Sequence, residues 1–450
     1  MDSGYGIGGY EKSQQEMISS KLNFWEPVII EKGVSRSYDL ELFPLSSNSD
    51  GPYEFFHQAD SKKFIDMSTL NFHARMGVEV ANSKGIFENI SNKTEEWGEW
   101  GLINNFYQSL FTSVIIKLND TEIGDLAYNS YPYTTYLQTL LGTSFSLSKN
   151  HVLGPRGFLK DDVAHVKSPG GEAFKSRSKS IVENALTDFV IPIHNDVCNI
   201  EKYLPPNVKI GITMRRTDDD FVLWTSAEKS NKFRIILKDI HLKVKVLEVY
   251  DDVLNHFYSE MKRNSEMHIK YTKNVMKSFT VPTGSIELRH HNLFFGSDLP
   301  NRIYVIMVEQ ESFNGSMQKN PFYLESSNMR EASLTINSRD EPSPPYKLTP
   351  KIDEKELYYA LLANTGRDSF DNDSVDISLE EFMKGFFVLA FDRSPIKDNG
   401  FYNYPNQPGQ ITVNIKCHKA IEKNMMVICL ASYNNKLTFK DDTVLSQPLL

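Results

Sequence analysis

Alternating apolar and polar residues predict several β-strands. In residues 208–216, VKIGITMRR, every second residue from Val208 to Met214 is apolar and the residues between are polar or glycine. The same two-residue period runs through residues 239–249, DIHLKVKVLEV, and residues 411–421, ITVNIKCHKAI. A strand with one apolar face covers a core on one side only. The pattern therefore indicates half-buried strands in sheets that pack face to face.

Turn signals separate these strands along the chain. Residues 302–308, RIYVIMV, form a buried strand bounded by the breaker cluster 296–300 and by Asn314-Gly315, which we expect to form a turn. Asp218-Asp219-Asp220 predicts another turn, from which residues 221–224 start a return strand beside 208–216. Short strands divided by such turns are typical of sandwiches and jelly rolls.

Few segments have a helical pattern. Residues 250–262, YDDVLNHFYSEMK, repeat apolar residues every four positions and carry two aspartates in the first turn. Residues 353–363 and 134–141 predict two more short helices, the latter after a packed tyrosine-rich loop. The chain of 450 residues is too long for one core.

The sequence predicts a domain organisation of four segments. We expect a flexible N-terminal arm (1–20), a first β domain (21–250), a connector helix (251–264) and a second β domain (265–450).

Composition argues against several functional classes. The net charge of −9 is unsuited to coating phosphates, so we expect no direct sequence-specific binding of nucleic acid. The cysteines, Cys198, Cys417 and Cys429, are widely spaced and suggest neither a disulfide framework nor a zinc site. Residues 126–148 are uncharged but rich in polar groups, so no membrane span is expected.

Several motifs found in enzymes and metal-binding proteins occur in the chain, but each lacks the neighbouring residues or elements that its function requires. Gly4, Gly6 and Gly9 match a dinucleotide-binding pattern without a preceding strand. The acidic run 368–381 lacks oxygen ligands at positions that a calcium loop requires. The two S-x-x-K matches lack companion motifs, and adjacent His290-His291 cannot share a strand face. We therefore expect no enzyme activity, no metal and no cofactor.

Several blocks resemble one family of viral structural proteins. In the first half these are INNFYQSLF at 103–111, VIIKLNDTEI at 114–123 and YPYTTYLQTLL at 131–141. The second half adds residues 294–322, FFVLAFDRSP at 386–395, and the strand 411–421. In content and order they are similar to the major capsid (hexon) proteins of Polinton (Maverick) elements and adintoviruses. Cys198 and Pro205-Pro206 depart from the family pattern.

The resemblance implies an all-β double jelly roll: two eight-stranded antiparallel β-sandwiches side by side, with a few short helices. It implies a major capsid protein without a reaction of its own, which forms homotrimeric pseudo-hexagonal capsomers of an icosahedral capsid. Its partners would be neighbouring capsomers and a penton or minor capsid protein. The virion would be its location, after synthesis in the host cytoplasm and assembly there or in the nucleus.

Two other classes share the architecture. The first alternative is a β-sandwich binding module, such as a lectin-like jelly roll, that does not assemble. A cupin-type enzyme is a further alternative, against which the absence of a His/Glu ligand cluster counts.

Two aromatic segments are candidates for contact between domains or between subunits, because aromatic residues combine a large apolar surface with a polar tip. The candidate residues are Tyr128, Tyr131, Tyr133, Tyr136, Phe313, Asn314, Gly315, Asn320, Pro321 and Phe322. The alternative is that both segments are only internal core and turn.

Overall fold

A computed structural model describes most of the chain. The described residues are 32–46, 50–81, 85–89, 100–144, 146, 152–183, 185–226, 233–264, 266–294, 298–368, 374–394, 406–440 and 443–449. The predicted N-terminal arm 1–20, Gly296 of the breaker cluster, and Asn399-Gly400, a further turn signal in the sequence, lie outside them.

Strands dominate the described residues. They are β1 Val34–Leu42, β2 Tyr53–His57, β3 Lys63–Ala81, β4 Phe87–Asn89, β5 Trp100–Leu102, β6 Phe111–Leu118, β7 Thr121–Ile123, β8 Thr187–Pro192, β9 Ile210–Arg216, β10 Leu223–Thr225, β11 Phe233–Val249, β12 Met267–Val281, β13 Glu287–His290, β14 Arg302–Glu309, β15 Met329–Ile336, β16 Arg339–Lys347, β17 Leu389–Asp392, β18 Ile411–Cys417, β19 Met425–Lys440 and β20 Thr443–Pro448.

Short helices lie between the strands. They are α1 Phe106–Ser109, α2 Ser130–Gly142, α3 Gly171–Glu183, α4 Asp219–Val222, α5 Asp251–Arg263, α6 Gln310–Asn314, α7 Glu354–Thr365 and α8 Leu379–Met383, with 3₁₀ turns at Gly154–Arg156 and Asp196–Asn199.

Two pairs of antiparallel sheets make up the molecule, and their strand orders match. In the first half, β1-β11-β3-β8 form one sheet and β2-β9-β6-β7 the other. In the second half the orders are β12-β19-β14-β17 and β13-β18-β15-β16. With β4, β5, β10 and β20 left aside, the eight strands of each half can be numbered 1 to 8 in chain order. In both halves the sheet orders are then 1-8-3-6 and 2-7-4-5, which is the jelly-roll order. The expected double jelly roll is confirmed.

Additional strands extend this repeated plan. β4 pairs with β3, β20 pairs with β19, and β5 pairs with β10 in a small separate sheet. Helix α5 occupies the chain between β11 and β12, where the sequence predicts a helix at 250–262. Only Leu254 of α5 is buried.

The predicted alternation is confirmed at the residue level. Along β18, residues facing the core are buried and those between are partly exposed, from Ile411 to Cys417. β9 shows the same pattern from Ile210 to Met214, and β11 buries Leu242, Val244 and Val246. Burial of these apolar faces is the main favourable contribution to folding. Buried side chains of both sandwiches form one continuous hydrophobic cluster.

The predicted hairpin at Asp218-Asp219-Asp220 is wrong. Residues Asp219–Val222 form helix α4, and the following strand β10 pairs with β5 instead of β9. The cause lies in Asp219, whose carboxylate accepts hydrogen bonds from Arg216 Nη2 at 2.8 Å and from the Ile235 backbone N–H at 2.9 Å. These bonds hold Asp219 against β11, whereas Asp218 and Asp220 are exposed.

The turn expected at Asn314-Gly315 is also different. Asn314 ends helix α6, and Gly315 follows with a φ of +98°, in the region that favours glycine. The tyrosine-rich segment is helical from Ser130, earlier than the helix expected at 134–141, because Pro132 is compatible with a first helical turn. The helix expected at 353–363 is found as α7.

The cysteines are buried free thiols, as the sequence indicates. Burial raises the pKa of the Cys198 thiol to about 12, so this thiol stays protonated at neutral pH. Among the described residues, no helix is long and apolar enough to cross a membrane.

Candidate interface between the two sandwiches

Helix α2 of the first half forms the centre of the interface. It carries no charged residue, and nine of its thirteen residues are buried, from Ser130 to Leu141. A helix that is buried on most sides needs packing partners all round. Its place between the two sandwiches supplies them.

The first sandwich holds one side of α2 through helix α1. Tyr131 Oη donates to Gln108 Oε1 at 2.7 Å, and Asn105 Nδ2 donates to Thr135 Oγ1 at 2.9 Å. The Tyr131 hydroxyl also accepts from the His194 backbone N–H at 3.3 Å. These bonds set the orientation of α2 and direct its other aromatic rings toward the second sandwich.

An aromatic cluster fills the space between α2 and the second half. The Tyr136 ring stacks on Phe322, with centroids 4.1 Å apart and planes 7° apart. Tyr133 stacks on Phe313 at 5.6 Å and meets the edge of Phe322 at 5.6 Å. Phe221 adds edge contacts to Tyr133 at 6.1 Å and Phe322 at 6.2 Å. Such ring pairs add stability beyond the apolar area they bury.

Hydrogen bonds across the interface pair several polar groups at the edges of the cluster. Tyr133 Oη donates to the Pro321 carbonyl at 3.1 Å, and Asn129 Nδ2 donates to the Phe313 carbonyl at 2.9 Å. Asn320 Nδ2 donates in the opposite direction, to the Val166 carbonyl at 2.9 Å. Burial raises the pKa values of Tyr133 and Tyr136 far above their ordinary range, so neither hydroxyl ionises.

Nine of the ten candidate contact residues come together here. Tyr128, which is half exposed, lies at the rim with its ring 5.9 Å from Phe313. A Cβ at Gly315 would make only ordinary van der Waals contact with Phe221, at 3.6 Å, so the φ of +98° is the reason that glycine is favoured there. Tyr131 is the exception, because its hydroxyl bonds to the first sandwich. All of these contacts join the two halves of one chain, and contact between subunits stays a prediction.

A lysine connects the halves at a second point. Lys160 Nζ lies 2.9 Å from Glu381 Oε1 and 3.5 Å from Asp376 Oδ2, and its side chain is only 14% exposed. Lys160 also donates to the Asp376 carbonyl. Because the pair is shielded from water, its attraction is stronger than that of a surface ion pair.

Two aspartates of the first half bind backbone groups of β12. Asp196 accepts from the Asn274 backbone N–H at 3.0 Å and from Asn274 Nδ2 at 2.7 Å. Asp125 Oδ2 accepts from the Met276 backbone N–H at 2.6 Å. Burial raises the pKa of Asp196 to about 6.

The sequence analysis did not predict these polar contacts between the halves or the position of Phe221 in the aromatic cluster. Lys160 and Asp196 sit in irregular connections, where no periodic pattern singles them out. Phe221 was assigned to a return strand, which gave no reason to pair it with Phe322.

Among the described residues, no three His, Cys, Asp or Glu side chains lie close enough to hold a metal ion. A cavity of about 240 Å³ lies in the second half, between Met329, Leu348, Met383 and His418.

Comparison with known proteins gives one sequence relative and many structural ones. No family model matches the chain. An uncharacterized protein of Caenorhabditis elegans is 21% identical over 377 residues, which cover 82% of this chain and 86% of the relative.

Solved viral structures match nearly the whole chain at low sequence identity. A chain of the Sputnik virophage aligns with a TM-score of 0.57 at 10% identity, covering 100% of this chain and 94% of its own. The mavirus major capsid protein gives 0.55 at 12%, with 100% and 96% covered. The Faustovirus major capsid protein gives 0.57 at 8%, with 95% and 93% covered. The chain thus shares the double jelly-roll fold of viral major capsid proteins.

Proposed function

We propose that this chain is the major capsid protein of an icosahedral DNA virus or element of the Polinton/adintovirus type, with three copies forming a pseudo-hexagonal capsomer. The observation that carries the proposal is the repeated strand order of two sandwiches joined in one chain. Three such chains around an axis would place six similar sandwiches in a closed ring. A ring of this kind has the shape needed to tile a capsid surface.

The aromatic cluster supports this role by holding the sandwiches in a fixed relation. Rings from both halves are buried against each other, and hydrogen bonds run across in both directions. We assign the candidate residues other than Tyr131 to this domain contact. We also assign residues 21–250 and 265–450 to the two jelly rolls and 251–264 to their connector.

Sequence and fold together favour the Polinton attribution. The ordered blocks of the chain resemble those hexons, and the nematode relative covers most of the chain. For a protein encoded by an element in animal genomes, we expect both a relative in an animal and a fold shared with viral capsid proteins. The protein would act in the virion by contacting copies of itself and a penton or minor capsid protein, without catalysing a reaction.

Light scattering of the purified full chain tests this function. We expect a particle of three times the chain mass of 51.6 kDa at micromolar concentration, with a hexagonal outline in electron micrographs. A monomer at that concentration would overturn the capsid proposal and favour the non-assembling binding module. That alternative requires a ligand site, and the cavity near Met383 is a poor candidate for one, because it is smaller than the roughly 300 Å³ at which ordinary small-molecule sites begin.

A further inference from the structure

The matching strand orders allow the two sandwiches to be aligned residue by residue. Strand β8 pairs with β3 as β17 pairs with β14, and the residue after each makes the same backbone hydrogen bond. The Ile193 N–H donates to the Leu70 carbonyl at 3.0 Å, and the Arg393 N–H donates to the Asn301 carbonyl at 2.8 Å. Leu70 therefore corresponds to Asn301, which fixes the register of one sandwich on the other.

This register matches the end of β1 with the middle of β12. Followed across the paired strands, it matches Leu42 with Val275, so the next residue, Phe43, corresponds to Met276. Met276 is 1% exposed, whereas Phe43 is 64% exposed and the nearby Leu45 is 69% exposed. Exposed apolar side chains that lie together mark contact surfaces. The end of β1 thus presents a surface whose counterpart on β12 is covered.

The segment that reaches β12 also has a counterpart. Asp125 Oδ2 accepts a hydrogen bond from the Met276 backbone N–H at 2.6 Å, and Asp125 belongs to residues 124–129, which join β7 to α2. Residues 348–353 join β16 to α7 at the corresponding place in the second sandwich, with equal length. Ile352 in this second connection is 75% exposed. Each sandwich therefore has one connection of this kind, and only the first is known to have a partner strand.

The second connection borders a cavity that suits a phenyl ring. Leu348 and Pro350 form part of the wall of the cavity of about 240 Å³. An apolar cavity of about 150 Å³ is already large enough to bind benzene. The cavity therefore has room for the ring of Phe43.

The charges beside the two surfaces are complementary. Glu41 lies two residues before Phe43, and its carboxylate remains half exposed although Lys243 Nζ lies 2.9 Å from Oε1. Lys351 is exposed in the connection 348–353. A carboxylate has two oxygens, so Glu41 can accept a second lysine.

We propose that residues 348–353 of one copy cover the end of β1 of the next copy, with Phe43 entering the cavity beside Pro350. The contact repeats between chains the relation that residues 124–129 have to β12 within a chain. It joins two different surfaces, so successive copies are related by a rotation that closes three of them into a ring. The inference rests on the proposed function, because it names the surfaces that would make the trimer.

Charge substitutions on either surface test the contact. Phe43→Asp and Ile352→Asp should each raise the concentration at which trimers dissociate by at least about tenfold, since burying an unpaired charge is unfavourable. The matched control is Ile286→Asp, whose residue is 57% exposed in the β12–β13 connection. It should dissociate as the wild type does, because β12 is already covered within its own chain. All three residues are exposed, so circular dichroism should show an unchanged fold.

Cross-linking identifies the two surfaces directly. Copies with Phe43→Cys, co-expressed with copies with Ile352→Cys, should give covalent dimers with a short bismaleimide, because the native thiols are buried. Copies with Ile286→Cys in place of Phe43→Cys should stay monomeric on a denaturing gel. A monomeric wild type would overturn the proposed function as well. A trimeric wild type would overturn this surface alone if no cross-link joins 43 to 352, or if either aspartate variant dissociates at the wild-type concentration.

Discussion

Asp196 is buried and His194 is partly buried, and protonation of the two side chains has opposite effects on the stability of the fold. Burial raises the pKa of Asp196 to about 6, above the ordinary 3.8, so its neutral form is favoured in the folded chain. Burial and the nearby charge of Arg156 lower the pKa of His194 to about 4, which favours neutral histidine. Asp196 therefore adds stability that is present at low pH and lost as pH rises through about 6. His194 adds stability that is present above about 6.5 and lost as pH falls toward 4.

Replacing Asp196 with Asn separates the two effects. Between pH 7 and pH 5 we expect the wild type to gain about 1 kcal/mol in free energy of unfolding relative to Asp196→Asn, because only the wild type can take up this proton. Urea unfolding at both pH values measures the difference. Equal differences at pH 5 and pH 7 would show that Asp196 does not titrate in this range.

In helix α8, Glu381 both caps the start of the helix and forms an ion pair across the interface. Ser378 Oγ accepts from the Glu381 N–H, and the Glu381 carboxylate accepts from the Ser378 N–H at 2.7 Å, which forms a capping box. The same carboxylate pairs with Lys160 of the first half. Burial would raise the pKa of Glu381, but the hydrogen bonds from Ser378 and Lys160 outweigh this and lower it.

Two lysine substitutions test this arrangement. Lys160→Met should reduce the free energy of unfolding by about 2 kcal/mol, because it leaves two partly buried carboxylates without their cation. Lys384→Met is the control, because Lys384 directly follows helix α8 and pairs with a carboxylate of that helix. Its ion pair with Glu380, at 2.7 Å, is exposed and should contribute less than about 0.5 kcal/mol. Equal losses in the two variants would contradict the role given to Lys160.

Regular elements were more predictable than the connections between them. The alternation in β9, β11 and β18 reflects one buried face, so the local order of apolar and polar residues reveals it. Helix α2 was predicted too short because its tyrosines were taken for loop residues, although packing from both sides stabilises them in a helix. The Lys160–Glu381 pair joins residues more than two hundred positions apart. No local pattern encodes such a pair, since the topology alone brings it together.

At the scale of the whole molecule, the two sandwiches are linked both by the polypeptide backbone and by side-chain contacts. Helix α5 connects them through the backbone and packs on the first half through Phe257, whose ring lies 5.2 Å from Phe64. The aromatic cluster, the Lys160 pair and the Asp196–Asn274 bonds connect them through side chains. We therefore expect the halves to stay together without the covalent link.

A protease site inserted after Asn264 tests this expectation. After cleavage the two fragments should elute together in size-exclusion chromatography, because the interface is intact. In the cleaved protein, Tyr136→Ala should weaken the association, since removal of a buried aromatic ring costs about 3–5 kcal/mol. Tyr128→Ala, at the rim, is the control and should have little effect. Separation of the fragments with the cluster intact would show that the backbone link holds the halves together.

The repeated strand order has a consequence for protein synthesis. Because both sandwiches are translated as one chain, they are always made in equal numbers, whatever the rate of expression. Each half can also change its loops independently, since a substitution in one sandwich is not copied into the other. Two nearly equivalent positions can thus become specialised without any need to sort two separate gene products.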